Sequence, residues 1–307
     1  MLNLKYLKAR GHEERAIGRR TVLAEQLRAK RSIQGSSYLK ARDLNSVLAT
    51  DHESNMTITA ETDPAVLFAS ENSTCVLTPE VTQGPYWVSG EYVRQNVTED
   101  QEGVALTLDI QVIDTNTCEP IPDVYLEMWH CNSTGIYSGI VASGNGNDND
   151  TSNINATFLR GIQPSDSEGV LTFDSIFPGH YTSRTTHIHV LAHINATVYP
   201  NNTIQGGTIA HVGQVFFDQD LIDEVETTYP YTTNTQEVTT NADDYILVEE
   251  ADTVDPVVEY VFLGNDVSDG ILAWISFALN ASASYDVGAA AVLGEDGGHK
   301  TNFTYTP

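Results

Sequence analysis

Within nine positions the chain places a phenol, a guanidinium and two imidazoles: Tyr181, then Arg184-Thr185-Thr186-His187-Ile188-His189. In an extended segment successive side chains alternate across the strand, so His187 and His189 project to one face and Ile188 to the other. Paired imidazoles on one face are a ready pair of metal ligands, suited to iron, zinc, copper or nickel. The plain alternative for an H-x-H taken alone is two partly exposed histidines on a strand. Arg184 weighs on the metal side. Beyond Arg42 the only basic residues are Arg94, Arg160, Arg184 and Lys300, and a cation three positions before paired imidazoles suits an anionic substrate or intermediate. Its simpler reading is that it balances neighbouring carboxylates.

Such groups need a scaffold, and the patterning supplies strands. Leu106, Leu108, Ile110 and Val112 alternate with Thr107, Asp109 and Gln111, and Val124, Leu126 and Met128 alternate with Tyr125, Glu127 and Trp129, the period of half-buried strands. Further strands are predicted at 168–174, 187–193, 208–217, 245–249, 257–263 and 270–279. Irregular spacing without long helical patterns between them favours an all-β fold, a β-sandwich, over a parallel α/β sheet. Ser143 to Asn155 is almost entirely Gly, Asn, Asp, Ser and Thr and is predicted to be a mobile loop. Residues 11–32 read as a helix with Ile17, Leu23, Ala24 and Leu27 near one face. The domain reading is a basic helical extension at 1–45 (a pro-segment, a surface anchor or an arm for a possible homodimer), a polar linker at 46–74, and a catalytic domain at 75–307.

Formal net charge is −27, yet residues 1–42 hold 11 of the 15 Lys and Arg, so the remainder is strongly acidic. Nucleic acid is excluded as a partner, and an anionic membrane surface would repel the main body. No run approaches the length of a membrane span. Met1 to Arg10 lacks the apolar core of a secretory signal. Ten N-x-S/T sites nevertheless occur, at Asn55, Asn72, Asn96, Asn132, Asn149, Asn155, Asn195, Asn201, Asn280 and Asn302, and they point to an extracellular protein whose signal lies outside this sequence. Three cysteines suit an oxidising compartment if two pair. Cys118 and Cys131 flank a predicted strand and could bridge it, leaving Cys75 over.

Four pieces then occur in order: Gly84-Pro85-Tyr86-Trp87; Trp129-His130-Cys131-Asn132-Ser133-Thr134-Gly135-Ile136-Tyr137-Ser138; Pro178-Gly179-His180-Tyr181; and Arg184 to His189. The chain here closely resembles the intradiol ring-cleavage dioxygenases, more particularly secreted fungal members, from about Cys75 to the C-terminus. The resemblance implies one non-haem Fe(III) per chain, held by Tyr137, Tyr181, His187 and His189. It implies cleavage of a small aromatic diol by O2 between the two hydroxyl-bearing carbons, giving a cis,cis-muconate-type diacid. Tyr181 would accept a substrate proton and Arg184 would stabilise negative charge on the ring. Gln214, in His211-Val212-Gly213-Gln214-Val215-Phe216-Phe217, resembles the family glutamine that orients arginine and substrate, although Gly213 and Phe216 depart from the family pattern. Tyr86 matches a position near the pocket mouth. Only five residues separate Tyr181 from His187, where intracellular members carry an insertion, so the rim is expected to be open to substrates larger than catechol. His130, His180, His193 and His211 have no matching role and read as structural or surface histidines.

Three alternatives stand beside this. A cupin dioxygenase requires a Glu shortly after H-x-H, and none follows His189 before Ile194. A catalytically silent secreted β-sandwich glycoprotein binding a metal or polysaccharide would suit the sequons and acidic surface. A zinc or copper protein could use the same residues. On the catalytic reading Tyr137→Phe should lose iron and turnover, whereas Asn132→Gln should leave activity intact.

Overall fold

The alternation of Leu106, Leu108, Ile110 and Val112 places all four in one core, while Thr107, Asp109 and Gln111 face away from it. The computed structural model describes residues 12–31, 78, 80–251 and 254–305; the predicted linker and Cys75 lie outside the described residues. The strands are β1 (Val88–Ser89), β2 (Ala105–Asp114), β3 (Tyr125–Trp129), β4 (Arg160–Pro164), β5 (Val170–Ile176), β6 (His187–Ile194), β7 (Thr197–Val198), β8 (Ile204–Gln205), β9 (Thr208–Phe216), β10 (Glu259–Phe262), β11 (Ile271–Leu279), β12 (Ala291–Gly294) and β13 (Gly297–Lys300). The helices are α1 (His12–Lys30), α2 (Gln219–Glu226) and α3 (Tyr245–Ala251).

Two four-stranded sheets, β10-β11-β2-β5 and β4-β3-β6-β9, face each other. Their inner faces share one core: Leu108 and Phe173 from the first, Met128, Ile188 and Val190 from the second, all buried. The second sheet is antiparallel throughout; in the first, β11 and β2 pair in parallel. This is the expected sandwich, and β2, β3, β5, β6, β9, β10 and β11 fall where alternation places them. A third sheet, β1-β12-β13, and the hairpin β7-β8 were not foreseen.

The segment 245–249 is helix rather than strand. Asp244 Oδ1 accepts from the Ile246 and Leu247 amides, both at 3.0 Å, and so satisfies two of the donors that a helix start leaves orphaned. The basic N-terminal helix packs on the sandwich. Ile17 and Leu27 pack on Val261, Leu263, Leu272 and Trp274 of the first sheet's outer face. Arg19 and Arg20 reach Asp109 on that face at 3.0 and 3.1 Å. No helix among the described residues is long and apolar enough to cross a membrane.

The cysteine expectation is corrected. Cys118 is disulfide-bonded, but Cys131 is a free thiol buried against the Gly179 carbonyl. The two therefore do not bridge each other.

Candidate active site

The outer face of the second sheet carries the histidine pair. Ile188 is fully buried in the core, so alternation fixes His187 and His189 on the opposite face of β6. His187 Nδ1 lies 2.6 Å from the Thr185 carbonyl and must donate to it, which leaves the lone pair on Nε2. That nitrogen is 3.1 Å from His189 Nε2. Trp129, from β3, lies flat on His189, with ring centres 4.8 Å apart and planes 3° from parallel. Gly84, at φ 72°, comes so close that a Cβ would sit 2.9 Å from His189 Cε1. The glycine of the Gly84-Pro85-Tyr86-Trp87 motif is thus required by close approach as well as by backbone conformation.

Tyr137 arrives on the loop after β3, and asparagines shape that loop. Asn132 Oδ1 accepts from the Thr134 amide, the Thr134 hydroxyl and the Ile136 amide at 3.1, 3.0 and 3.0 Å. The Tyr137 amide donates to Asn145 Oδ1 at 2.8 Å, and its carbonyl accepts from Asn145 Nδ2 and Asn153 Nδ2 at 2.9 and 2.8 Å. Two expectations change. The 143–155 segment is not loose, since Asn145, Asn147 and Asn153 are buried and grip the main chain at Tyr137 and Ile140. Nor is Asn132 a neutral surface sequon, because its amide oxygen organises the turn that delivers Tyr137. Arg160, fully buried, adds a clamp by donating through Nη2 to the Tyr86 and Ser138 carbonyls at 2.9 and 2.7 Å.

Tyr137 is wholly buried, and its hydroxyl, although it interacts with the Tyr181 oxygen, makes no hydrogen bond of regular geometry among the described residues. Its ring stands 5.2 Å from Tyr86, 5.6 Å from Tyr181 and 6.0 Å from His189. The half-buried Tyr181 donates its hydroxyl to His187 Nε2 at 3.2 Å. Burial, followed by the neighbouring Tyr181 oxygen, holds the Tyr137 phenol well above its ordinary pKa. Burial likewise raises Tyr181, against the pull of Arg184. Burial, and then adjacent positive charge, holds both imidazoles well below theirs. Four neutral groups are thus gathered in one place, with an oxygen that lacks a regular hydrogen bond and two facing nitrogens. A multivalent cation reverses that balance by favouring phenolate over phenol. Among the described residues no cluster of three or more His, Cys, Asp or Glu could hold a metal, so phenol oxygens are the donors that can complete the imidazole pair. The residues fit a metal.

Arg184 sits against these phenols and is held from behind. Nε donates to Asp244 Oδ2 at 2.7 Å, and Nη2 donates to Gln214 Oε1 at 2.6 Å and to Asp244 Oδ1 at 3.3 Å. Gln214, opposite His189 in the β6–β9 register, donates Nε2 to the Thr82 carbonyl at 3.1 Å. Burial opposes the charge on Arg184, but Tyr181 and Asp244 keep its pKa above the ordinary value. Arg184 therefore balances a carboxylate and also faces the phenols. Sequence reasoning missed Asp244; its signal was an Asp immediately before the apolar run Tyr245-Ile246-Leu247-Val248, the pattern of a helix cap.

The four remaining histidines of the β domain's interior are all buried: His130, His180, His193 and His211. His130 bonds Ser175, and the other three each meet a carboxylate: Glu226, Glu127 and Glu80 respectively. None is a surface residue.

Residues 82–224 match the family described as Dioxygenase. A catechol 1,2-dioxygenase from Pseudomonas sp. (strain EST1001) is 32% identical over 109 residues, 34% of this chain and 32% of that protein, so the match spans about a third of the curated relative. Among solved structures, an intradiol ring-cleavage dioxygenase from Tetranychus urticae aligns with a TM-score of 0.57 at 29% identity, covering 69% of this chain and 98% of that one. The matched segment contains Tyr137, Tyr181, Arg184, His187, His189 and Gln214. By shared sequence and shared fold, the chain belongs to the intradiol ring-cleavage dioxygenase family.

Proposed function

We propose that this protein is an extracellular, Fe(III)-dependent intradiol dioxygenase. It cleaves catechol-type rings between the two hydroxylated carbons with O2, giving cis,cis-muconate-type diacids. The observation that carries the reading is the Tyr137 hydroxyl, buried without a regular hydrogen bond beside two imidazole nitrogens 3.1 Å apart, an arrangement that is costly unless a cation occupies it. Tyr137, Tyr181, His187 and His189 would hold one Fe(III), and their two hard phenolate oxygens favour the ferric state. When bound, the metal supplies a Lewis acid that takes a catechol as its dianion and renders the ring reactive toward O2.

The chain's own groups do the rest. Tyr181 is the partly exposed phenol of the pair, and its oxygen accepts the proton of a substrate hydroxyl. Arg184, its fork fixed by Asp244 and Gln214, stabilises the negative charge that develops on the ring; it is preorganised and so costs no reorganisation. Tyr86 bounds the pocket over Tyr137. Export is supported by the disulfide at Cys118. It is supported too by Asn96, Asn149, Asn155, Asn195, Asn201 and Asn302, sequon asparagines exposed to solvent.

The test is the visible spectrum and metal content of the purified protein, before and after anaerobic catechol. A broad tyrosinate-to-iron band with about one iron per chain, moving to longer wavelength with catechol, is expected. A protein that stays colourless after iron reconstitution and holds zinc or copper instead would replace the enzyme with a metal-binding glycoprotein.

A further inference from the structure

We infer that Asn201 carries an N-linked oligosaccharide whose first N-acetylglucosamine packs on the exposed ring of Tyr199. The inference rests on the proposed export of the chain, because the transfer takes place in the secretory pathway. Of the ten sequons, only Asn201 has a Phe, Tyr or Trp two positions before it. The segment Tyr199-Pro200-Asn201-Asn202-Thr203 closes the β7–β8 hairpin beyond the Val198–Ile204 pair. The Tyr199 amide donates to the Thr203 carbonyl and the Asn202 amide to the Tyr199 carbonyl, both at 2.9 Å, and Asn202 is left-handed at φ 61°. Asn201 therefore stands at the tip of a tight turn, with Tyr199 and Thr203 at its base. Tyr199 is 43% exposed. Together with Asn201 and Thr203 it borders a recess of about 910 Å³, which has room for a pyranose.

Asn201 presents its amide nitrogen outward. Oδ1 accepts from the Thr203 hydroxyl at 2.9 Å and from the Thr203 amide at 3.3 Å, while Nδ2 makes no hydrogen bond among the described residues. The sequon asparagines Asn132 and Asn149 instead engage Nδ2 with Gln101 and Asp148. The donor is a lipid diphosphate-linked oligosaccharide. Nδ2 forms a bond to C1 of the reducing-end N-acetylglucosamine, the C1–O bond breaks, the diphosphate leaves with the electron pair, and Nδ2 loses one proton. The C–H groups on a sugar face, polarised by neighbouring oxygens, suit the electron-rich face of the Tyr199 ring. The contact also removes from water an aromatic surface that the protein itself leaves uncovered. Ser89, Gln205 and Glu295 line the same recess, and a wall of mixed polar and apolar groups suits a sugar.

The full chain, secreted from a eukaryotic host behind an added secretion signal, is compared with Asn201→Asp, Tyr199→Ala and the double variant. Asp keeps an oxygen for Thr203 and takes no sugar. Both positions are exposed, so the substitutions leave the core intact. Peptide mass spectrometry reads occupancy at Asn201, and amide hydrogen exchange reads opening of the hairpin. Asn201 is expected to be occupied, and loss of its sugar should speed exchange across the hairpin about fivefold, the scale of one aromatic contact. In the Tyr199→Ala background the same loss should change nothing, whereas in Tyr199→Phe, which keeps the ring, the effect should persist. Secreted protein with Asn201 unoccupied, or an equal effect of the sugar with and without the Tyr199 ring, would overturn the proposal. Either failure leaves the export reading standing, since the added signal supplies the route. A native protein found only inside the cell would instead overturn the export reading and the proposal with it.

Discussion

Each sheet turns one face away from the shared core, and the two outer faces treat buried polar groups in opposite ways. On the first, Asp109 is fully buried but meets Arg19 through both oxygens and Arg20 through one, at 3.2, 3.0 and 3.1 Å. Helix α1 closes that face with Ile17 and Leu27 against Trp274 and its neighbours. On the second face the buried Tyr137 hydroxyl and His189 Nδ1 make no regular hydrogen bond, although the supporting loop is richly bonded. The buried carboxylate of the first face is thus satisfied, as buried polar groups generally are, although the Ser276 hydroxyl of β11 finds no hydrogen-bond partner among the described residues. On the second face the open atoms are a phenol oxygen and an imidazole nitrogen of the proposed metal centre.

Breaking the satisfied face should have the largest effect on stability and none on chemistry. Asp109→Ala leaves Arg20, itself buried, without its carboxylate, and removing one partner of a buried ion pair costs about 3–5 kcal/mol. Denaturant melts should show that loss, while the folded fraction keeps its iron content and turnover. A loss of iron in the folded fraction would mean the two faces are not independent.

The open face should respond the other way. In metal-free protein Tyr137→Phe removes a buried hydroxyl that makes no regular hydrogen bond, so the variant should be more stable than the parent by about 1 kcal/mol. Loaded with iron, it should lose the visible band and bind the metal more than about 100-fold more weakly, beyond the range typical of outer-shell changes. A metal-free variant that is less stable than the parent would show that the hydroxyl is satisfied after all.

Much of this contrast was legible in the sequence because it rests on short-range rules. Alternation placed Asp109 opposite Leu108 and Ile110, and His187 and His189 opposite Ile188. The apolar face of α1 was visible in Ile17, Leu23, Ala24 and Leu27. What escaped depends on contacts distant in sequence. Arg184 and Asp244 are 60 positions apart, and nothing local marks them as partners. The run Tyr245 to Glu249 has the apolar density of a buried strand, and only the bonds from Asp244 to two following amides turn it into a helix. The 143–155 segment looked loose because asparagine and glycine are loop formers. Its order comes from Asn145 and Asn153 bonding back to Tyr137, with side-chain amides standing in for a strand partner. Cysteine pairing was read from proximity in sequence, and the buried thiol of Cys131 shows how little that proximity decides.

A pH-dependent effect compares two buried carboxylates, one on each side of the molecule. Asp109, against burial, is held below its ordinary 3.8 by Arg20 and Arg19. Its contribution to stability is therefore complete above that ordinary value and is lost as pH falls below it. Glu91 is also fully buried, but the nearest Arg160 nitrogen in their ion pair is 3.8 Å away and both its oxygens lack a hydrogen bond. Burial raises it from 4.5 to about 8, with Arg160 offsetting only part. The sign is reversed: the unfolded chain gives up this proton near 4.5 while the folded chain keeps it, so the contribution is complete below 4.5 and is lost as pH rises toward 8. Glu91→Gln keeps the shape and has no proton to lose. It should flatten the decline in stability between pH 4.5 and 8, with a gain over the parent on the order of 2 kcal/mol at the upper end and none at the lower. Urea melts across that window check it. A slope identical to the parent's would place Glu91 among the ionised, arginine-paired carboxylates with Asp109, and the difference between the two faces would then reduce to Tyr137 and the histidine pair.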